Sequence, residues 1–232
     1  MAKTPAQTLI TLLAKRMDLD SADANVRADL LQQLNISQQD ICHDHSLSFL
    51  VTNSSVTLNS ALSYVAVPTG VDVGKTVTLS RVAADGEIEY VPVDEWWRKR
   101  IDTYGSPTET EPSFFTVANV SGVVSFLFKP GNTSGGNLVI PYIAQMVATD
   151  MTDGGASYSV LPEGWENTLL LIDAEAELRR VQNEPQWADM KARANERKER
   201  LYSSYRTTKE QAMTDREQQE RKVAKVKLSD EA

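Results

Sequence analysis

The residue pattern of this chain changes twice, near residue 48 and again near residue 148. Between these points Val, Thr, Ser, Asn and Gly dominate, and apolar residues alternate with polar ones. Alternation is typical of a half-buried β-strand, whereas a recurrence every three or four residues is typical of a helix. The sequence therefore predicts an α+β chain. Its N- and C-terminal helices are expected to form a helical bundle, with a central β-sandwich or barrel-like module and a long C-terminal helix.

Residues 1–47 are predicted to supply the N-terminal helices of that bundle. Apolar side chains recur at helical spacing in two stretches of this segment, around Leu9 and around Leu34. Asp20 or Ser21 is expected to cap the second helix, because a short polar side chain can accept hydrogen bonds from the free amides of the first turn.

Residues 48–148 are predicted to form the β-rich module, interrupted by a short helix at residues 93–103 that carries Trp96 and Trp97. In such a helix one Trp usually packs into the core while its neighbour lies at an interface. The pair is therefore predicted to act as core or interface anchors, and a ligand-stacking platform is the alternative. Roughly eight strands are expected, at residues 48–53, 56–58, 64–67, 76–83, 87–91, 114–119, 123–128 and 137–148.

Residues 149–205 are predicted to form the C-terminal helices, and residues 206–232 a charged tail. Trp165 and Trp187 begin the apolar faces of two successive helices and are also predicted as core or interface anchors. The apolar stripe fades after Tyr205, and the tail holds seven Lys or Arg and six Asp or Glu residues. A segment that is polar all round often orders only against a partner.

Charge and cysteine content narrow the classes of function. The chain has 232 residues and a formal net charge of −8, so it is a poor candidate for wrapping nucleic acid. Like charge would instead keep DNA from adhering to a channel wall. The single cysteine, Cys42, excludes an internal disulfide framework and fits a reducing compartment. No signal peptide and no long apolar run are recognised, so no membrane partner is expected.

Two motifs resemble known chemistry but lack a required part. Gly70–Thr76 looks like a phosphate-binding loop, yet that loop needs a glycine six residues before its lysine, and Thr69 stands there. A hairpin turn is expected instead. Cys42–His45 groups three possible metal ligands, but a closed zinc site needs about four, and the chain has no other Cys or His. A metal site shared between subunits is the open alternative.

No catalytic constellation stands out from the remaining residues. Both histidines lie together, and acidic pairs such as Asp94 with Glu95 are expected by chance among 32 acidic residues. The sequence therefore predicts no catalytic, cofactor-binding or metal-binding residues and no enzyme.

An ordered series of features begins near Pro92. In chain order it contains Val91-Pro92, Asp94-Glu-Trp-Trp97, Gly105-Ser-Pro107, Phe114-Phe115, Phe126-Leu-Phe-Lys-Pro130, Ile140-Pro-Tyr142 and Leu161-Pro-Glu-Gly-Trp165. This series resembles the head-to-tail adaptor (connector) proteins of tailed bacteriophages over most of residues 86–205.

The resemblance implies a structural virion protein at the neck, assembled in the host bacterial cytoplasm. Such a subunit would form a homo-oligomeric ring, commonly a dodecamer, that connects the portal protein to tail or neck proteins. Double-stranded DNA would pass through the ring channel without specific binding. The resemblance also implies that the C-terminal segment docks on the portal, through Tyr205, Arg206, Lys209, Arg216, Arg221, Lys222, Val223, Val226 and Leu228.

The alternative function is a carbohydrate- or receptor-binding β module on a helical stalk. It would require Trp96 or Trp97 to be exposed as a stacking surface for a sugar ring.

Overall fold

The computed structural model describes residues 3–75, 77–81, 86–98, 111–154 and 157–206. They fall into two units, one built from residues up to Leu50 and from Ala148 onward, the other from Val51–Val147. Within these described ranges the chain has five α-helices and a nearly closed, barrel-like sheet of seven strands. The predicted combination of helices with a barrel-like β module is thus confirmed.

The helices and strands are numbered in chain order. The helices are α1 (Ala6–Arg16), α2 (Ala24–His43), α3 (Val93–Arg98), α4 (Leu171–Val181) and α5 (Trp187–Tyr205). The strands are β1 (Val51–Leu58), β2 (Tyr64–Ala66), β3 (Thr78–Ser80), β4 (Glu87–Tyr90), β5 (Phe114–Val120), β6 (Val123–Lys129) and β7 (Leu138–Gln145).

Helix α4 lies at the centre of the helical unit, where it contacts α1, α2 and α5. Its residues from Leu171 to Ala176 are buried or half-buried, whereas α1, α2 and α5 each keep a polar outer face. A helix covered on nearly every side needs small and apolar residues around its circumference. The core of this unit includes Leu9, Ile10, Leu13, Leu30, Leu34, Ile41, Leu161, Leu169, Leu170, Leu171, Ala174, Ala194, Leu201 and Tyr202.

The start of α2 lies further along the chain than predicted. The cap of α2 is Asp23, whose carboxylate accepts hydrogen bonds from the amides two and three residues later, at 2.8 and 3.4 Å. The predicted cap Asp20 instead closes a turn with the amide of Ala22. The helix predicted to carry Trp165 begins at that residue, and a π-helical turn, Glu166–Leu170, leads into α4.

The sheet has the strand order β1-β7-β3-β4-β5-β6-β2. All neighbouring strands are antiparallel except β4 and β5, which pair in parallel. A parallel pair cannot be joined by a tight turn, so a longer crossover is required, and α3 lies on it. The edge strands β1 and β2 contact each other and so bring the sheet close to closure. The enclosed core includes Val56, Leu58, Leu79, Ile88, Phe115, Phe126, Phe128, Ile140 and Tyr142.

The strand count is seven rather than the predicted eight or so. The two strands expected at residues 48–53 and 56–58 are one strand, β1, which pairs with β7 from Val51 to Leu58. The three residues before it form a short 3-10 turn. The hairpin from β5 to β6 closes with Ser121 and Gly122, which have φ angles of 52° and 88°. Positive φ at both positions gives the turn that matches the twist of two paired strands.

Several predicted features lie outside the described residues. They are the end of the helix expected at 93–103, the Gly105-Ser-Pro107 turn, and the charged tail from residue 207 onward.

Candidate interaction surfaces

The two tryptophans of α3 lie in different environments. Trp96 is 4% exposed, whereas Trp97 is 66% exposed. The Nζ of Lys129, at the end of β6, lies 4.2 Å from the centroid of the Trp96 ring, a distance that suits a cation–π contact. Burial lowers the pKa of Lys129, and its Nζ has no hydrogen-bond partner among the described residues. The Trp96 ring therefore both packs α3 onto the sheet and offsets part of the buried charge.

Trp97 belongs to an exposed apolar surface at the junction of β4 and α3, which we call the corner surface. Its members are Tyr90, Val93 and Trp97, with exposed fractions of 52%, 41% and 66%. Val93 and Trp97 are four residues apart on α3, so they share one face of that helix. Glu87 and Glu89 on β4 are exposed nearby along the chain. They alternate along the strand with Ile88 and Tyr90, so they point to the other side of the sheet from Tyr90.

A second set of exposed apolar residues lies on the outer face of β7. Val139 and Ile143 are about half exposed, and their partners across the ladder with β1 are Thr57 and Asn53. Mixed Thr, Asn and Val residues are ordinary on the solvent side of an antiparallel sheet. The corner surface differs because it includes a Trp and a Tyr that are each more than half exposed.

The C-terminal end of α5 contacts the segment that follows α2. The ring of Tyr205 meets the ring of Phe49 edge-on, with centroids 5.4 Å apart. The Nη2 of Arg206 lies 2.9 Å from the Nε2 of His45, and the backbone of Arg206 pairs with that of Leu47. These two predicted portal-binding residues are therefore half-buried within their own helical unit. The other seven lie outside the described residues: Lys209, Arg216, Arg221, Lys222, Val223, Val226 and Leu228.

The remaining two tryptophans both lie in the helical unit. Trp165 is half-buried and packs against the apolar core just before the π-helical turn. Trp187 is half-buried at the first position of α5. Of the four predicted anchors, only Trp97 therefore presents most of its ring to solvent.

A buried ionic cluster joins α4 to α5. Asp173 is fully buried, and its Oδ1 accepts a hydrogen bond from the Nζ of Lys191 at 3.0 Å and forms an ion pair with the Nζ of Lys198 at 3.1 Å. Lys191 also lies 2.6 Å from Glu177, whose other cationic partner is Arg180 at 2.8 Å. Ion pairs of this kind fix which faces of two helices meet more than they add stability.

The pKa shifts in this cluster show that the pairs outweigh burial. Burial disfavours the charged form of Lys191, but hydrogen bonds to Glu177 and Asp173 raise its pKa overall. Burial likewise opposes ionisation of Glu177, yet the bonds from Lys191 and Arg180 lower its pKa. Sequence periodicity missed the cluster because a carboxylate on an apolar face is counted as an interruption. The available signal was the pair of lysines seven residues apart on the apolar side of α5.

The loop that resembles a phosphate-binding motif is a turn between strands. Gly70 has a φ of +86°, and its carbonyl accepts a hydrogen bond from the amide of Val147 at 2.7 Å. The carboxylate of Asp72 accepts one from the amide of Gly74 at 3.0 Å. The next described element is β3 rather than a helix, so no helix N-terminus faces this loop, and phosphate binding of that type needs one.

The Cys42–His45 segment is spread over the end of α2. Burial raises the pKa of the Cys42 thiol to about 12, which keeps it protonated at neutral pH. The ring of His45 packs edge-on against Tyr202, with centroids 4.2 Å apart, while His43 is exposed. Among the described residues no group of three or more His, Cys, Asp or Glu side chains is placed to hold a metal ion.

Comparisons with known proteins add no family assignment. No protein-family model matches this chain, and no curated protein matches it at a significant level. Within the part of the chain that the structure describes, no helix has both the length and the apolar character needed to cross a membrane.

Proposed function

We propose that this protein is a structural virion protein, a ring-forming head-to-tail adaptor that connects the portal to the tail and forms part of the DNA channel. The proposal places it in the neck of a tailed-phage virion, after assembly in the host bacterial cytoplasm. It assigns no catalysis and no cofactor. Its partners are further copies of the chain, the portal protein, and tail or neck proteins.

The observation that carries the proposal is the corner surface. Monomeric proteins rarely expose large contiguous apolar patches, and Trp and Tyr are enriched where protein interfaces are most strongly bound. Trp96 holds α3 on the sheet from the buried face, whereas two thirds of the Trp97 side chain faces solvent. An exposed Trp of this kind is what a subunit interface would use.

The sequence resemblance supports the same proposal, because several of the residues that carry it are buried in a core. Five anchors of the resemblance are buried in the β module: Val91, Trp96, Phe115, Phe126 and Tyr142. The series of anchors therefore describes residues that pack and position the β-strands, rather than a chance run of surface residues.

The helical unit would supply further ring contacts and the arm. We assign it the role of a helical bundle that packs beside its neighbours, and we assign α5 with the tail the role of a long helical arm that reaches the portal. Tyr205 and Arg206 then form the base of the arm, since both are already held by the segment after α2. The acidic charge suits a channel through which DNA slides without adhering.

The direct test is to measure the mass of the purified full-length chain by light scattering and to image it by negative stain with and without portal rings. Rings that bind one end of the portal are expected. A chain that stays monomeric at high concentration and never binds portal rings contradicts the proposal.

A variant tests the corner surface. Trp97→Glu is expected to raise the protein concentration needed for ring formation at least tenfold, because it places a charge in an aromatic contact. Val123→Glu is the matched control, since Val123 is 51% exposed on β6 of the same β module but lies outside the corner surface. Equal assembly of the two variants would show that the corner surface is not the ring contact.

A carbohydrate- or receptor-binding module is the second candidate, and the exposed ring of Trp97 beside Tyr90 favours it. A flat aromatic surface can stack on a sugar ring. A glycan array probed with the full-length chain and with Trp97→Ala separates the two candidates. Array signals that disappear in the variant support sugar binding, and an array without any signal excludes it.

A further inference from the structure

A shallow groove runs along the outer face of α2. It has a volume of about 400 Å³ and is lined by Ala28, Leu31, Gln32, Asn35, Ile36, Gln39 and Asp150. The side chain of Asn35 is fully engaged, because it donates to the carbonyl of Met151 and accepts from its amide. Ile36 is 42% exposed at the surface of the groove. The surface of the groove is thus fixed by hydrogen bonds at Asn35 and is partly apolar.

Carboxylates border this groove on both sides. Asp150 lines it, and its carboxylate accepts a hydrogen bond from the neutral amide of Gln39 at 2.7 Å. Asp29 and Asp40 are exposed on α2 and have no cation within ion-pair distance in the described part of the chain. They are eleven residues apart, which places them within about 20° of each other on one stripe of the helix, next to Ile36. An occupant of this groove would need apolar side chains and positive charge.

One segment of this chain has that composition. Residues 221–228 read Arg-Lys-Val-Ala-Lys-Val-Lys-Leu, with four cations, four apolar residues and no acidic residue. The rest of the chain, residues 1–220 with 229–232, carries 20 basic and 32 acidic residues, since 24 − 4 = 20 and every acidic residue lies there. The segment is therefore the complement of the groove in both charge and apolarity.

The chain also has the reach to make this contact within one copy. Arg206 is held beside His45 and Leu47, just past the end of α2. From there the far end of the groove, at Ala28, is about 22 Å back along the helix at 1.5 Å per residue. Residues 207–220 span up to about 45–50 Å when extended. This linker is therefore long enough for residues 221–228 to reach the groove.

We propose that residues 221–228 bind in the α2 groove of their own chain, with their lysines and arginine against Asp29, Asp40 and Asp150 and their apolar residues against Ile36 and Leu31. This contact is separate from the adaptor proposal, because it needs no second protein. It gives the C-terminal segment an internal binding site that any external partner of the same residues must displace.

Disulfide trapping in the full-length chain tests the contact. The groove pair is the double variant Ile36→Cys with Val226→Cys, and the control pair is Val181→Cys with Val226→Cys. Both are oxidised with oxidised glutathione. Native Cys42 is buried and protonated in both variants. The groove pair is expected to form an intramolecular disulfide at least tenfold faster than the control pair. Equal rates, or products only between chains, overturn the proposal.

Charge reversal gives the second arm. Asp29→Lys with Asp40→Lys, added to the groove pair, is expected to slow trapping at least fivefold, because the ionic attraction becomes repulsion. The matched control is Asp189→Lys with Glu199→Lys, two exposed carboxylates of α5. If both double reversals have the same effect, the acidic rim does not guide the segment and the proposal fails.

The unaltered chain offers a third arm. Zero-length carbodiimide cross-linking followed by mass spectrometry is expected to join lysines 222, 225 or 227 to Asp29, Asp40 or Asp150. Cross-links of these lysines that avoid all three aspartates would overturn the contact. Portal binding is scored separately, so a failure here leaves the adaptor proposal standing or falling on its own test.

Discussion

At the residue scale, two buried groups make the helical unit less stable as the pH becomes alkaline. Cys42 is 4% exposed, and burial raises the pKa of its thiol from 9.0 to about 12. Burial also raises the pKa of Tyr202, whose hydroxyl donates to the carbonyl of Ile41 at 3.1 Å. In both groups the folded state favours the protonated form. The contribution of each group to the free energy of unfolding is therefore complete below the pKa that the group has in the unfolded chain. It is lost as the pH rises from there through the pKa in the folded state.

Cys42→Ala is expected to remove the first part of this alkaline loss. In the native chain the free energy of unfolding should fall by about 1.4 kcal/mol per pH unit above pH 9, as the thiol ionises only in the unfolded state. The variant should stay nearly level between pH 9 and 10, until Tyr202 begins to contribute. Urea unfolding followed by circular dichroism at pH 8, 9 and 10 measures both slopes. Identical slopes would refute the assignment to Cys42.

Asp173→Asn tests the buried ionic cluster. It is expected to lower the free energy of unfolding by about 3 kcal/mol, because it leaves Lys191 and Lys198 near each other without the carboxylate between them. Asp40→Asn, the same change at an exposed carboxylate outside the cluster, is the control and should alter stability by less than about 0.5 kcal/mol. A variant as stable as the native chain would show that the cluster only selects the helix pairing.

At the element scale, α3 is held to the sheet by one of its two tryptophans. Trp96→Ala is expected to cost about 3–5 kcal/mol of stability, because it empties a buried aromatic volume and leaves Lys129 without its ring. Trp97→Ala should change the stability of the isolated subunit by less than about 0.5 kcal/mol. Thermal unfolding of both variants at a concentration where the chain is monomeric measures the difference. Equal losses would mean that Trp97 also packs within its own unit.

The N-terminus of α2 allows a matched comparison of two aspartates. Asp23→Ala should cost about 1 kcal/mol, since it frees two amides of the first turn. Asp20→Ala removes only the turn bond to Ala22 and should cost less. Urea unfolding of the two variants ranks them, and a larger loss for Asp20→Ala would place the effective cap where the sequence first suggested it.

Periodicity predicted the types of element well because helices and strands bury opposite patterns of side chains. It placed the apolar positions Leu9, Leu34 and Phe126, all now seen in the cores. It was wrong about the start of α2, because Asp20, Ser21 and Asp23 are equally good caps by residue type and only chain geometry selects one. It also split β1, because the consecutive polar residues Ser54 and Ser55 in the middle of that strand look like a turn when its partner β7 is unknown.

At the scale of the whole molecule, the corner surface and the groove could not be predicted as surfaces. Trp96 and Trp97 were identified as a pair, but which ring faces solvent depends on where β5 and β6 lie under α3. The groove joins α2 to Asp150, which is 111 residues from Gln39 in the chain. Such a contact depends on long-range packing that no local pattern records.

The ladder between β1 and β7 joins the two points at which the chain passes into and out of the β module. Val51 pairs with Gln145, so the ends of the module lie on neighbouring strands. An insert whose two ends are adjacent can be exchanged for another of different size without stretching the scaffold that carries it. The β module is in that sense an inserted domain that can be replaced as one unit. Evolution, or an engineer, could diversify what it recognises while the sequence of the helical unit is kept.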